Sequence, residues 1–61
     1  MKHKMVVYQG VVEHHGHEYK SPLYVNRNIA EMAMEDLSEQ LQRKGVNPSF
    51  IYPSVKEVFI Y

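Results

Sequence analysis

The stretch NIAEMAMEDLSEQLQRKG, residues 28–45, is predicted to form one amphipathic helix around which the rest of the chain is organised. Asn28 is the predicted N-cap, with Glu31 three positions later as its capping-box partner. Gly45 is predicted to end the helix, and Pro48 prevents it from resuming. One stripe of the helix is apolar, at the spacing expected for 3.6 residues per turn: Ala30, Ala33, Met34, Leu37 and Leu41. We expect this stripe to be buried.

Length and composition limit the class of protein. Sixty-one residues make one domain with a small core. The absence of cysteine excludes a disulfide framework and favours a reducing compartment. Seven basic and seven acidic residues give zero net charge, whereas nucleic-acid-binding domains usually have a basic excess. Since no apolar run approaches the roughly 20 residues that cross a membrane, we expect a soluble, cytoplasmic protein, typical in size and composition of small bacterial or phage accessory proteins.

Two strands joined by a tight turn are predicted before the helix. Residues 5–13 are rich in valine, which favours a strand. His15 and Gly16 are the predicted turn, because glycine adopts positive φ freely and histidine tolerates it better than most residues. This turn fixes the register of the hairpin, so that Gly10 falls opposite Ser21. Two small residues at this point leave a gap into which the helix backbone is expected to fit closely.

The remaining elements complete the predicted fold. Pro22 cannot donate to a β ladder, so the second strand is expected either at an edge of the sheet or broken in two at Ser21 and Pro22. Residues 50–61 are predicted to form a final strand, interrupted at Pro53. A right-handed crossover lays residues 55–61 antiparallel beside the first strand. The prediction is a single α+β domain over residues 1–61, ββαβ, with a three-stranded antiparallel sheet of order 2-1-3 and one helix on one face.

The last strand has two possible orientations, between which the period of the sequence does not decide. We predict that Val58 and Ile60 face the helix. The opposite, open face of the sheet then carries an apolar and aromatic surface larger than a small monomer usually exposes. That surface is the predicted binding site: Val7, Val11, Tyr24, Phe59 and Tyr61. In the alternative orientation Phe59 belongs to the core, and the surface is reduced to scattered residues.

Such a surface predicts a small non-enzymatic module that binds another protein or a second copy of itself, as a homodimer, since aromatic residues are favoured in interface cores. The sequence has no GxSxG motif, no phosphate-binding loop and no dinucleotide fingerprint, so neither catalysis nor a cofactor is expected. The first alternative is single-stranded nucleic-acid binding, in which bases stack on Tyr24, Phe59 and Tyr61 with Lys20 and Lys56 nearby.

The second alternative is a divalent metal site at the histidine-rich hairpin tip. In the predicted register His14 lies opposite His17 with Cβ atoms about 5 Å apart, which is close enough for two imidazoles to share a first-row metal ion. Glu13 lies opposite Glu18, and a bound cation would relieve this like-charge pair. No third ligand is fixed by the pattern. Separately, residues 1–3 could bind Cu(II) or Ni(II) through backbone nitrogens and His3, provided that Met1 keeps a free amine.

Overall fold

The computed structural model of the protein describes residues 4–61. The three strands form one antiparallel sheet in the order β2-β1-β3, and the single helix packs on one face of it. The elements are β1 (Met5–His14), β2 (His17–Tyr24), α1 (Arg27–Arg43), a 3₁₀ turn (Pro48–Phe50) and β3 (Tyr52–Ile60). The predicted α+β fold and strand order are therefore confirmed.

The turn between β1 and β2 is the predicted one. His15 has φ 52° and Gly16 has φ 80°, and two successive residues with positive φ are what a type I′ hairpin turn requires. The cross-strand pair of His14 with His17, predicted from this turn, is confirmed. The register near the tip therefore follows from two residues of sequence.

A β-bulge in β2 changes the register halfway along the hairpin. Gln9 pairs with Leu23, so that Ser21 and Pro22 together oppose the single residue Gly10. The Ser21 hydroxyl accepts a hydrogen bond from the Gly10 N–H at 2.8 Å and donates one to the Pro22 carbonyl, also at 2.8 Å. The Gln9 side-chain amide donates to the Ser21 carbonyl at 2.9 Å. Side chains thus supply hydrogen bonds that the bulge removes from the ladder.

The bulge moves Tyr24 to the side of the sheet that carries the helix. Beyond the bulge Tyr24 pairs with Tyr8, which shares a face with Gly10, and Gly10 abuts the helix. The prediction that Tyr24 lies on the open face is therefore wrong, because one extra residue turns every later side chain of a strand to the other face. β2 is nevertheless an edge strand, as Pro22 predicted, and it is continuous.

The helix begins two residues earlier than predicted. Its N-cap is Asn26, whose Oδ1 accepts from the Asn28 N–H at 2.8 Å. The predicted capping box of Asn28 with Glu31 is wrong, and Glu31 instead lies 3.6 Å from the Arg27 guanidinium, one helical turn away. The predicted end is confirmed, since Gly45 follows the C-cap with φ 97°.

The core lies between α1 and the middle of the sheet. Val12, Leu41 and Ile51 are buried together. Helix and sheet approach each other closely at Gly10, as predicted, where a Cβ atom would lie 2.7 Å from the Ala30 carbonyl oxygen. Partly buried hydrophobic residues complete the cluster: Met34, Leu37 and Val46.

The orientation of β3 is opposite to the predicted one. Val58 pairs with Val7 and Ile60 pairs with Met5, so Val58 and Ile60 lie on the open face and not under the helix. The physical reason is Ile51, which is buried in the core just before β3 begins and thereby turns the odd-numbered residues of β3 toward the helix side. The strand is continuous through Pro53.

Candidate interaction surface

The open face of the sheet has an apolar half at the end where β1 begins. Met5 is 52%, Leu23 49% and Ile60 44% exposed. They surround Val7 and its partner Val58, which are buried and half-buried respectively. We call Met5, Val7, Leu23, Val58 and Ile60 the apolar half of the open face. No layer of residues 4–61 covers it, because the helix lies on the other side.

The other end of the open face carries charges that are balanced within the chain. The Glu18 carboxylate lies 3.7 Å from the Lys20 ammonium and 3.5 Å from the Lys56 ammonium. Glu13 lies opposite Glu18, as predicted. All these side chains are exposed, so the ion pairs contribute little to stability. This charged half is suited to contact with water.

Two of the five predicted binding residues lie on the open face. Val7 and Val11 are there, but they are only 4% and 2% exposed, since they lie on the central strand between side chains of both neighbours. Phe59 and Tyr61 lie on the helix side, as Tyr24 does. The open-face residues that sequence reasoning missed are Met5, Leu23, Val58 and Ile60. Placing Ile51 in the core would have identified the two that belong to β3.

Phe59 and Tyr61 form a second exposed group, on the helix side of the sheet and close to Lys4. Their exposures are 50% and 78%, so the alternative in which Phe59 belongs to the core is also wrong. The Lys4 ammonium lies 5.8 Å from the Phe59 ring centroid and 5.3 Å from that of Tyr61, within range of a cation–π contact. The lysines predicted to accompany these aromatic rings, Lys20 and Lys56, lie on the opposite face of the sheet.

Tyr24 borders a shallow groove between β2 and the helix. The groove has a volume of about 400 Å³ and is open to solvent. Its helix residues include Ile29 and Met32, which are 43% and 64% exposed. The full lining is Tyr24, Ile29, Met32, Ala33 and Asp36.

The histidines of the hairpin tip contact different neighbours. His14 Nδ1 lies 3.1 Å from the Phe50 carbonyl oxygen, which can only accept, so this nitrogen carries the proton. The His17 ring instead lies beside Tyr19, with ring centroids 6.5 Å apart. Within residues 4–61 no group of three or more histidine and acidic side chains is arranged to hold a metal ion. The predicted copper or nickel motif at residues 1–3 lies outside the described residues.

In the part that the structure describes, no helix is both long enough and apolar enough to cross a membrane. No protein-family model, curated protein or solved structure matches the chain.

Proposed function

We propose that this protein is a small non-enzymatic interaction module that binds a second copy of itself through the apolar half of its open sheet face. The observation that carries the proposal is the exposure of Met5, Leu23 and Ile60, at 52%, 49% and 44%, on the same face of the sheet. Removing such side chains from water is favourable by roughly 25 cal/mol per Å² of apolar surface. A second patch of the same kind is a suitable cover.

The small core supports self-association. Among residues 4–61, six hydrophobic residues are buried, whereas eleven large hydrophobic residues remain exposed. Domains of this size usually need disulfides, a metal or oligomerisation to supplement the core. The chain contains no cysteine, so oligomerisation is the non-covalent means that fits its composition.

The charged half of the open face fits the same proposal. In a two-fold packing of two open faces the apolar halves overlap and the charged halves lie at the rim, where polar side chains are usual. Because the carboxylates of Glu13 and Glu18 balance the charges of Lys20 and Lys56 on this face, the rim needs no oppositely charged partner. A net charge of zero also allows two copies to approach without repulsion.

The proposal includes a non-enzymatic role and a cytoplasmic location. The first rests on a sequence without a catalytic motif, and the second on the absence of cysteine, which is typical of reducing compartments.

The test replaces two patch residues and measures the mass in solution. The double variant Leu23→Ser, Ile60→Ser is expected to have a lower average mass by light scattering than the wild type at the same concentration. Met32→Ser is the matched control, because Met32 is 64% exposed on the helix and lies outside the patch. Circular dichroism verifies that each variant folds. An unchanged mass for the double variant would refute the open-face interface.

Base stacking at Phe59 and Tyr61 is the second candidate function, favoured by the Lys4 ammonium beside both rings. Single-stranded oligonucleotide should then bind at low salt, release as salt rises, and bind less to Phe59→Ser, Tyr61→Ser. The absence of binding at low salt would exclude this function.

A further inference from the structure

The outer edge of β3 offers unpaired backbone groups. In an antiparallel strand successive residues direct their N–H and C=O groups to alternate sides. The Gly10 N–H points toward β2, where it donates to the Ser21 hydroxyl. The backbone N–H and C=O groups of the odd-numbered residues of β1 therefore point toward β3. Their partners on β3 are even-numbered, such as Val58 opposite Val7. The outward backbone groups of β3 therefore belong to Pro53, Val55, Glu57 and Phe59.

This edge lacks the protection that the other edge of the sheet has. Proteins commonly blunt exposed edges with proline, bulges or lysine. β2 carries Pro22 within a bulge, two residues after Lys20. On β3 the proline is only the second of nine residues, and the Lys56 side chain is directed to Glu18 on the open face. In the described chain no strand pairs with the outer side of residues 54–60.

We infer that a second copy pairs along this edge, with β3 antiparallel to β3 of the other copy about a two-fold axis at Val58. A two-fold axis brings the same strand of both copies together and makes the pairing antiparallel. Val58 then lies opposite Val58 of the second copy. The hydrogen-bonded pairs on either side are Glu57 with Phe59 and Val55 with Tyr61, each formed twice.

Charge and proline select this register from its neighbours. An axis at Lys56 or at Glu57 would place that residue opposite its own copy, and like charges directly across a ladder are destabilising. An axis at Val55 would put Pro53 at a hydrogen-bonding position, where it has no N–H to donate. An axis at Phe59 would shorten the paired segment. The axis at Val58 avoids all three defects.

The same register brings opposite charges together. Glu57 of one copy lies opposite Phe59 of the other, whose ring has the Lys4 ammonium 5.8 Å from its centroid. Among the described residues, neither Glu57 nor Lys4 forms an ion pair. The two-fold axis thus brings the Glu57 carboxylate of each copy near the Lys4 ammonium of the other. A second copy of this chain therefore supplies the complementary charge.

Edge pairing goes beyond the proposed function, since it uses a different surface. It joins two sheets into one of six strands and places the two apolar halves side by side on one face. Packing of that enlarged face on another gives an assembly of four chains. The edge and the open face therefore contribute separately to the mass in solution.

Cysteine cross-linking tests the register. The chain has no cysteine, so Val58→Cys introduces a single thiol. At the axis its two copies have Cα atoms about 4.5 Å apart, which suits a disulfide. Lys56→Cys is the matched control on the same face, where the two thiols are too distant to bridge. Oxidation should cross-link Val58→Cys and not Lys56→Cys. Equal cross-linking of both variants, or none of Val58→Cys, would overturn the register.

A proline variant distinguishes edge pairing from the open-face interface. Glu57→Pro removes an outward N–H and no bond to β1, so the fold should persist while the mass falls to half. If the mass falls for Glu57→Pro and not for Leu23→Ser, Ile60→Ser, the edge stands and the open-face proposal fails. The reverse result overturns the edge alone. A wild type that remains a single chain at all concentrations overturns both.

Discussion

At the scale of single residues, Gly10 and Ser21 determine how closely helix and sheet approach. Sequence reasoning predicted the gap between them, because two small residues fall opposite each other when the turn is read as His15-Gly16. It missed the bulge, because the Ser21 hydroxyl replaces a backbone acceptor for the Gly10 N–H, and no local pattern reveals such a substitution. The missed bulge is also why Tyr24 was assigned to the wrong face.

Gly10→Ala is expected to destabilise the protein by about 1–3 kcal/mol, a typical cost of overpacking. The new Cβ would lie 2.8 Å from Met34 N and 2.7 Å from the Ala30 carbonyl oxygen, so helix backbone has to move. Urea unfolding measures the change. Wild-type stability in this variant would mean that the helix does not rest on Gly10.

Ser21→Ala is expected to cost about 1–3 kcal/mol, because it leaves the buried Gly10 N–H without its acceptor. Ser54→Ala is the control, since Ser54 lies exposed on β3, the opposite edge strand, and its loss should change stability by less than about 0.5 kcal/mol. Urea unfolding of each variant under the same conditions measures the two changes in the free energy of unfolding. Equal effects of the two substitutions would contradict the role given to the Ser21 hydroxyl.

At the scale of elements, the sequence predicts what each segment is better than where it begins or which way it faces. The apolar stripe and Gly45 identified the helix, whereas its N-cap was predicted at Asn28 and is Asn26. Asn26 is the cap because β2 ends at Tyr24 and the connection is short. The orientation of β3 was predicted wrongly because both of its faces carry apolar residues. The burial of Ile51, which decides between them, depends on tertiary packing and not on the local sequence pattern.

Asn26→Ala is expected to lower the free energy of unfolding by about 1 kcal/mol, because the N-cap hydrogen bond to the Asn28 N–H is lost. Asn28→Ala should be neutral or slightly stabilising, because alanine is the better helix former at a position whose side chain does not cap the helix. Thermal unfolding by circular dichroism compares the two. The opposite ranking would restore Asn28 as the cap.

At the scale of the whole molecule, one helix on one face of a three-stranded sheet leaves a face and an edge without cover. The order of the strands was predictable from Pro22 and the crossover, since both favour a central β1. The composition of the open face was not predictable from the sequence, because it depends on the bulge in β2 and on the burial of Ile51 in the core. The proposed assembly follows from the exposed residues of that face and from the outward backbone of β3.

The central claim is that this chain associates with itself, and the average mass of the wild type measured by sedimentation equilibrium from micromolar to millimolar concentration tests it most directly. We predict a mass that rises with concentration from that of one 7.2 kDa chain toward that of four chains. Since apolar contact and backbone pairing carry the assembly, high salt should change this rise little. A mass of 7.2 kDa across the whole range would contradict the account.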